Sequence, residues 1–298
     1  MVLAKGKGIY VWDVTGKRYV DFLSAYSAVN QGHCHPRILA AAKKQCEKLT
    51  LTSRAFYNNV LGDYEEKVAK MFKYDKVIFM NAGVEAVETA MKFARRWGYM
   101  NKKIPTNQAR IIWATGNFHG RTIAVIGASD EEDRTKDFGP FVPNNIIIEY
   151  NNIPALEKEI TNKNTCAFIV EPIQGEAGVY IPDSGYLQKV SELCKKNNVL
   201  LVCDEIQTGI GRTGKLLASD WEGVRPDMVL LGKSLSGGFM PISAVLADNE
   251  IMDNIKPGDH GSTFGGNPLA GMIGIEALNV VVEEDLVENS RKMGELLL

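Results

Sequence analysis

The sequence has no excess of basic residues, no long apolar run and no closely spaced pair of cysteines. Its 34 Lys and Arg residues are balanced by 36 Asp and Glu residues, and the resulting net charge of −2 argues against a nucleic-acid partner. No apolar run reaches the roughly 18 residues that a membrane-spanning helix needs, so no membrane partner is expected. The five cysteines form no CxxC motif, which argues for free thiols in a reducing compartment.

Two kinds of catalytic site are also missing from the sequence. There is no Gly-x-Ser-x-Gly motif, so the nucleophile turn of a serine hydrolase is absent. The segment 33–35, with the sequence His-Cys-His, is too compact to form a tetrahedral metal site alone, and no second ligand pair accompanies it. We therefore predict no metal site. We interpret the histidines at 33, 35, 119 and 260 as hydrogen-bonded structural residues.

The composition and pattern of the chain predict an α/β fold. With 298 residues, 45% of them hydrophobic and 23% charged, the chain can bury a large core. Short apolar runs alternate with helical segments, which predicts a mostly parallel sheet covered by helices on both faces. The predicted strands are 77–80, 111–114, 146–148, 167–170, 199–203, 228–231 and 243–247.

The two ends of the chain have patterns of their own. Residues 8–13 and 18–22 predict a β-hairpin that precedes the sheet. The segment 36–49 predicts a helix with Pro36 in its first turn. The segment 268–282 predicts a long helix, followed by a charged tail. The apolar stripe of the helix 36–49 is formed by Ile38, Leu39, Ala42, Cys46 and Leu49.

Glycines and polar residues follow the predicted strands at five places. In open α/β sheets, ligands bind beyond the carboxyl ends of the strands. A binding site built from these loops is therefore expected. The loops are 81–85, 116–121, 171–176, 204–207 and 232–234.

Lys233 directly follows a predicted buried strand. Desolvation there would lower the pKa of its amine and make the amine a usable nucleophile. The alternative is an ordinary surface lysine on a loop, because lysine is almost never buried without a partner. A phosphate-binding P-loop is also conceivable, but Asp227 occupies the position where that motif needs glycine.

Asp204 and Gly83 each allow two interpretations. Asp204 ends the most apolar predicted strand, where it could cap a turn or face a cationic partner in a site of low dielectric constant. Gly83 opens a predicted helix, whose free N–H groups and dipole could bind a phosphate. A glycine before a helix is nevertheless common.

Taken together, these features resemble the class III aminotransferases of fold type I, which depend on pyridoxal 5′-phosphate. The segments 204–214 and 231–238 are similar to the signature of that family, and the resemblance runs through essentially the whole chain. Within the class, the stretches 22–33 and 51–57 are most similar to the ornithine aminotransferases. Tyr26 supports this, since acetylornithine aminotransferases usually carry an aliphatic residue there.

The resemblance implies roles for the residues that would hold the cofactor. Lys233 would form the covalent link and later move a proton between substrate and cofactor. Asp204 would keep the pyridine nitrogen protonated, so that the ring acts as an electron sink. Phe118 would stack on the ring, while the backbone N–H groups of Gly83 and Val84 would bind the phosphate.

The resemblance implies roles for six further residues. Thr263 would reach the phosphate of a neighbouring subunit, which implies a homodimer with shared active sites. Gln207 would contact the phenolic oxygen of the cofactor, and Glu171 would line the pocket. The residues implied to bind the substrate are Tyr26, Arg121 and Glu176.

The expected reaction moves the δ-amino group of ornithine to 2-oxoglutarate, giving glutamate 5-semialdehyde and glutamate. Alternatives are an acetylornithine or other ω-amino acid aminotransferase, or a non-catalytic remnant of the fold. The expected organisation has a small-domain segment at 1–30, a cofactor-binding domain at 31–267 and a connecting helix at 268–298. Because family members extend beyond both ends, we expect a fragment with an incomplete small domain, from the cytoplasm or the mitochondrial matrix.

Overall fold

The computed structural model describes residues 1–298, and its first element is a small antiparallel sheet. This sheet contains β1 (Leu3–Lys7), β2 (Tyr10–Asp13) and β3 (Arg18–Val20). The predicted hairpin is confirmed as β2 and β3, and the Asp13 carboxylate closes its turn by accepting the backbone N–H of Lys17 at 3.0 Å. Strand β1 was not predicted, because its sequence Leu-Ala-Lys-Gly-Lys has no strand-forming β-branched or aromatic residue.

A seven-stranded sheet forms the centre of the molecule, in the order β4-β10-β9-β8-β7-β5-β6. Every strand predicted for it is confirmed, with ends shifted by at most two residues. Only β10 runs opposite to the other six strands, so the sheet is mostly parallel as expected. The strands are β4 (Lys76–Met80), β5 (Arg110–Ala114), β6 (Asn145–Ile148), β7 (Thr165–Val170), β8 (Leu200–Asp204), β9 (Met228–Leu231) and β10 (Ser243–Ala247).

Eleven α-helical segments accompany the strands, and no helix is both long and apolar enough to cross a membrane. The first is a single turn, and several others are equally short. They are α1 (Ser24–Ser27), α2 (Pro36–Cys46), α3 (Leu61–Phe72), α4 (Gly83–Met100), α5 (Ile123–Ile126), α6 (Glu132–Thr135), α7 (Ile153–Ile160), α8 (Tyr186–Lys196), α9 (Asn249–Met252), α10 (Pro268–Glu283) and α11 (Leu286–Leu297).

Helices bury both faces of the central sheet. Along β8, Val202 packs in the same core as α4, whereas Leu201 packs on the opposite face in the core that includes α8. Along β9, Leu230 joins the α4 core and Leu231 joins the core formed with α2, α3 and α10. Because side chains alternate between the faces, burial on both sides explains why these strands are continuously apolar.

Two sequence predictions about helices are wrong. The helix that begins at Pro36 ends at Cys46 rather than at 49, and both Cys46 and Leu49 are exposed instead of belonging to its buried stripe. Gln45 is buried in their place, and its side-chain amide donates to the Leu49 carbonyl oxygen at 2.8 Å. The segment 268–298, expected to form one connecting helix, is instead divided near Asp285 into α10 and α11, and the charges of α11 pair with one another along its exposed surface, as between Arg291 and Glu288.

Two buried tyrosines on α3 and just beyond it differ in how their hydroxyl groups are satisfied. The Tyr64 hydroxyl has no hydrogen-bond partner, although its ring stacks on Phe79 with centroids 4.1 Å apart. The Tyr74 hydroxyl donates to the Pro226 carbonyl oxygen at 2.7 Å. A buried polar group without a partner costs stability, whereas a satisfied one contributes to it.

We therefore expect Tyr64→Phe and Tyr74→Phe to change stability in opposite directions. Tyr64→Phe should raise the free energy of unfolding by about 1 kcal/mol, because it removes an unsatisfied hydroxyl from the core. Tyr74→Phe should lower it by about 1 kcal/mol or more, because it leaves a carbonyl without its donor. Urea denaturation of both variants measures the difference. Shifts of the same sign would contradict the assignment.

Candidate active site

A cavity of about 240 Å³ lies at the carboxyl ends of the parallel strands. The loops after β4, β5, β7, β8 and β9 all contribute to its wall, so a cavity lies where the sequence predicts a binding site. Eight of the eleven predicted site residues line it. They are Gly83, Val84, Phe118, Arg121, Glu171, Asp204, Gln207 and Lys233.

Lys233 lies two residues beyond β9, at the start of a short 3₁₀ helix that runs from Lys233 to Ser236. Its backbone has a φ of 45°, in the left-handed region that is unfavourable for a residue with a side chain. Burial lowers the pKa of its amine below the ordinary value of 10.5, against the opposing charges of Asp204, Glu176 and Glu171. The surface-lysine interpretation is therefore wrong: Lys233 is a half-buried amine in a cavity.

Asp204 ends β8 and is almost completely buried, with 4% of its surface exposed. Its Oδ2 atom lies 2.7 Å from Nδ1 of His119, and its Oδ1 atom accepts the backbone N–H of Ile206 at 3.1 Å. Both carboxylate oxygens thus have a fixed partner. The carboxylate closes the turn after its strand and also forms part of the cavity wall, while its role toward a cationic partner stays a prediction.

Glu171 provides a second buried carboxyl group, at the end of β7. Burial raises its pKa from 4.5 to about 7, so a large share of it carries a proton at neutral pH. Its Oε2 atom accepts the backbone N–H of Phe118 at 3.1 Å. The ring of Phe118 also lies near two cations, with Arg134 at 4.9 Å and Arg121 at 5.7 Å from its centroid.

The start of α4 forms another part of the wall. The Glu85 carboxylate accepts the backbone N–H groups of Asn81 at 2.9 Å and Ala82 at 2.7 Å, and the N–H groups of Gly83 and Val84 follow at the helix start. The loop after β5 packs tightly here. A Cβ atom on Gly120, which has a φ of 118°, would approach the Val84 side chain to 2.6 Å.

Tyr26 does not line the cavity but lies beside Lys233, on the single turn α1. All four residues of this turn, 24–27, have positive φ values, a left-handed conformation that costs roughly 1–2 kcal/mol for each non-glycine residue. The Lys233 Nζ atom lies 6.0 Å from the Tyr26 ring centroid. The Gln207 side-chain amide donates to the Tyr26 carbonyl oxygen at 3.5 Å, which connects this turn to the loop after β8.

The structure does not bring Glu176 and Thr263 into the cavity wall. Both side chains are exposed. Glu176 is still close enough for its charge to raise the pKa of Lys233, which places it near the same site. Thr263 makes no hydrogen bond within this chain, so its implied role at a subunit boundary stays a prediction.

Sequence reasoning missed the importance of His119. It is hydrogen-bonded, as predicted, but its partner is Asp204 inside the cavity rather than a remote structural group. A signal was available, because His119 directly follows Phe118 in a loop already selected as part of the site. Arg134 carried no such signal, since it approaches Phe118 from a helix further along the chain.

The cavity has the groups that a phosphorylated pyridine aldehyde requires. It combines an amine of lowered pKa, a buried carboxylate for a cationic ring nitrogen, an aromatic face and the N–H groups of a helix start. The His119 Nε2 atom is buried without a hydrogen-bond partner, which is typical of a polar site rather than of a closed core. The residues present therefore fit pyridoxal 5′-phosphate.

Comparisons with known proteins agree with this geometry. Ornithine aminotransferase, mitochondrial, from Drosophila melanogaster is 60% identical over 297 residues, and the match covers all of this chain and 69% of that protein. The crystal structure of ornithine aminotransferase from Toxoplasma gondii superposes with a TM-score of 0.98 at 51% identity, covering 99% of this chain and 70% of that one. Acetylornithine aminotransferase from Elizabethkingia anophelis superposes with a TM-score of 0.89 at 54% identity, covering 99% and 71%.

The family model for class-III aminotransferases matches residues 1–298, the full length of the sequence. The strand order, the cavity at the strand ends and the position of Lys233 all occur within that match. This chain belongs to the class-III aminotransferases, in the group of that family that includes the ornithine aminotransferases.

Proposed function

We propose that this chain transfers the δ-amino group of ornithine to 2-oxoglutarate, giving glutamate 5-semialdehyde and glutamate. The observation that carries the proposal is the cavity in which Lys233, Asp204 and Phe118 meet, in a chain 60% identical to a curated ornithine aminotransferase. Pyridoxal 5′-phosphate is the cofactor, and when bound it supplies an electrophilic carbonyl carbon and a ring that withdraws electrons.

Lys233 is the proposed nucleophile and proton carrier. Burial favours the neutral form of its amine, and only the neutral amine can attack a carbonyl carbon. The same Nζ atom, once free again, is suited to take a proton from the substrate carbon and deliver it elsewhere. Asp204 would hold the ring nitrogen of the bound cofactor, and its negative charge would stabilise the protonated form of that nitrogen.

Other wall residues position the cofactor. The Phe118 ring offers a flat face for stacking, and Glu171 holds the backbone at that position through the Phe118 N–H. The N–H groups of Gly83 and Val84 are the proposed phosphate donors, since a helix start favours an anion. Gln207, which lines the cavity, is the proposed partner of the phenolic oxygen.

Tyr26, Arg121 and Glu176 are the proposed substrate-binding residues. Tyr26 is 55% exposed and lies beside Lys233, where it can contact an incoming amino acid. Arg121 lines the cavity and can bind a carboxylate group, and Glu176 can attract the amino group of ornithine. The negative charge of Glu176 favours the diamino acid ornithine in the first half-reaction, and it disfavours the dicarboxylate 2-oxoglutarate in the second.

A homodimer with shared sites completes the proposal. Thr263 is exposed in this chain and is the residue that would serve the cofactor of the partner. The mitochondrial matrix is the proposed compartment, by similarity to the mitochondrial enzyme of Drosophila melanogaster. The division of the chain at residues 30 and 267 is also part of the proposal.

A second candidate is the transfer of the amino group from acetylornithine. It is favoured by the 54% identity to the acetylornithine aminotransferase of Elizabethkingia anophelis. Acetylation removes the positive charge of the α-amino group, so Glu176 could form an ion pair with that group in ornithine but not in acetylornithine. Tyr26 is the residue that argues for ornithine.

The rate at which pyridoxal phosphate attaches to Lys233 should increase with pH. The midpoint of this increase should lie below the ordinary lysine pKa of 10.5, because burial lowers the pKa of Lys233. Asp204 stabilises the charged amine, so Asp204→Asn should move the midpoint lower still. Stopped-flow absorbance at 400–450 nm follows the reaction, and borohydride reduction with peptide mapping identifies the lysine. Lys233→Ala should lose the link, whereas the exposed control Lys189→Ala should retain it. Labelling of another lysine would contradict the assignment.

Ornithine should consume the visible band of the loaded protein faster than acetylornithine does, by about 10-fold or more. Single-turnover absorbance measures both donors separately from 2-oxoglutarate. Tyr26→Ile should reduce this preference because it removes the aromatic ring beside Lys233, while Tyr26→Phe should keep most of it. A preference for acetylornithine in the unchanged protein would favour the second candidate.

Cofactor binding should weaken when the protein is diluted to monomers, because Thr263 would then be lost from the partner's site. Thr263→Ala should weaken binding at high protein concentration, where the unchanged protein is associated. Thr161→Ala, at an exposed position after α7, serves as the control. Fluorescence titration at several protein concentrations, with sedimentation in parallel, measures both effects. Tight binding by a monomer would rule out shared sites.

A further inference from the structure

His119 and Asp204 form a buried pair at the inner end of the cavity. The His119 side chain is 1% exposed, and its Nδ1 atom lies 2.7 Å from Asp204 Oδ2. This pair joins two loops, since His119 follows β5 whereas Asp204 ends β8. Because the other carboxylate oxygen accepts the N–H of Ile206, the pair fixes the orientation of Asp204 within the wall.

The charges around His119 favour its positive form. Asp204 from β8 and Glu171 from β7 face it, and Lys233 is close enough to interact with both carboxyl groups. Burial lowers the pKa of His119, but the hydrogen bond and charge of Asp204, helped by Glu171, outweigh this and raise the pKa above 6.5. The ring of Trp113 packs 5.1 Å away, and an aromatic ring tolerates a neighbouring cation.

The two nitrogens of His119 have different surroundings. Nδ1 is held by Asp204, whereas Nε2 is buried without a hydrogen-bond partner. If the ring loses a proton, Nε2 gives it up, because the proton on Nδ1 is retained by the carboxylate. The imidazole can therefore change its charge without breaking its contact with Asp204.

We propose that His119 is a positioning residue that orients Asp204 and carries its positive counter-charge until the protonated ring nitrogen of the cofactor takes over that role. The inference rests on the proposed function, because it assigns Asp204 to that nitrogen. Two cations beside one buried carboxylate repel each other, so their titrations are coupled. Binding of the ring as a cation then drives one proton from His119 Nε2 to solvent.

The coupling predicts how the affinity for the cofactor depends on pH. When the pH is below the titration midpoint of His119 in the cofactor-free protein, the imidazole is charged and repels the cationic ring of the cofactor. Above it, the imidazole is neutral and still holds the carboxylate through Nδ1. Affinity for the protonated ring should accordingly rise as pH passes through this midpoint, and this rise should be absent when residue 119 cannot titrate.

NMR of the cofactor-free protein tests the first half of the proposal without any catalysis. The chain has only four histidines, so ¹⁵N-labelled histidine gives a spectrum that single substitutions can assign. His119 should titrate above pH 6.5. In Asp204→Asn its pKa should fall, because the carboxylate charge that offsets the effect of burial is then lost. His35, whose Nε2 lies 3.3 Å from Glu284 away from the cavity, should be unaffected by Asp204→Asn. An unshifted His119 would overturn the inference.

Calorimetry in buffers of different ionisation enthalpy tests the second half, by counting protons exchanged when pyridoxal phosphate binds. The unchanged protein should release a proton that His119→Asn does not release, while His35→Asn should behave like the unchanged protein. Asparagine keeps a donor for Asp204 but no titrating group, so a purely structural role would leave the proton count unchanged. Equal counts in the unchanged protein and His119→Asn would therefore overturn the inference.

The two proposals can fail separately. If the unchanged protein binds no pyridoxal phosphate, the proposed function fails, whereas the NMR result still decides whether His119 is the charged partner of Asp204. If His119→Asn does not fold, His119→Gln replaces it in calorimetry. The NMR comparison with Asp204→Asn needs no substitution at His119 beyond assignment.

Discussion

Burial of the central sheet on both faces is the constraint on which the rest of the structure depends. With α4 on one side and α2, α3, α8 and α10 on the other, the strands have no room for polar side chains along most of their length. Polar groups are concentrated instead where the strands end. Asp204 and Lys233 are therefore held by rigid strands, although each belongs to a loop or strand end that can contact a ligand.

Charge balance within the cavity follows from this burial. Four ionisable side chains lie close together there, namely Lys233, Asp204, Glu171 and His119. Burial disfavours the charged form of each group, whereas a nearby group of opposite charge favours it. The pKa of Lys233 falls and that of Glu171 rises to about 7, whereas His119 becomes more basic through Asp204. The site can thus hold and release protons near neutral pH.

Much of the fold and of the site could be predicted from the sequence, because the strongest signals came from buried strands. The run 228–231 matches β9 at both ends, and Lys233 follows it in the cavity as expected. Surface elements were harder to predict. The break between α10 and α11 was not predicted, and Gln45 took a buried position expected for Cys46 because its amide satisfies a local carbonyl. The pairing of His119 with Asp204 joins positions 85 residues apart, which no local pattern reveals.

The reversed strand β10 determines the width of the cavity. It lies between β4 and β9, so the loop that carries Gly83 and the loop that carries Lys233 are separated by two strand spacings, about 10 Å, rather than one. Because β10 runs the other way, it begins at this edge, and Ser243 there donates to the Ala82 carbonyl oxygen at 2.8 Å. A ligand with an anionic end and a reactive end can span this gap. The strand inserted between β4 and β9 therefore sets the distance between the proposed phosphate donors and the reactive amine.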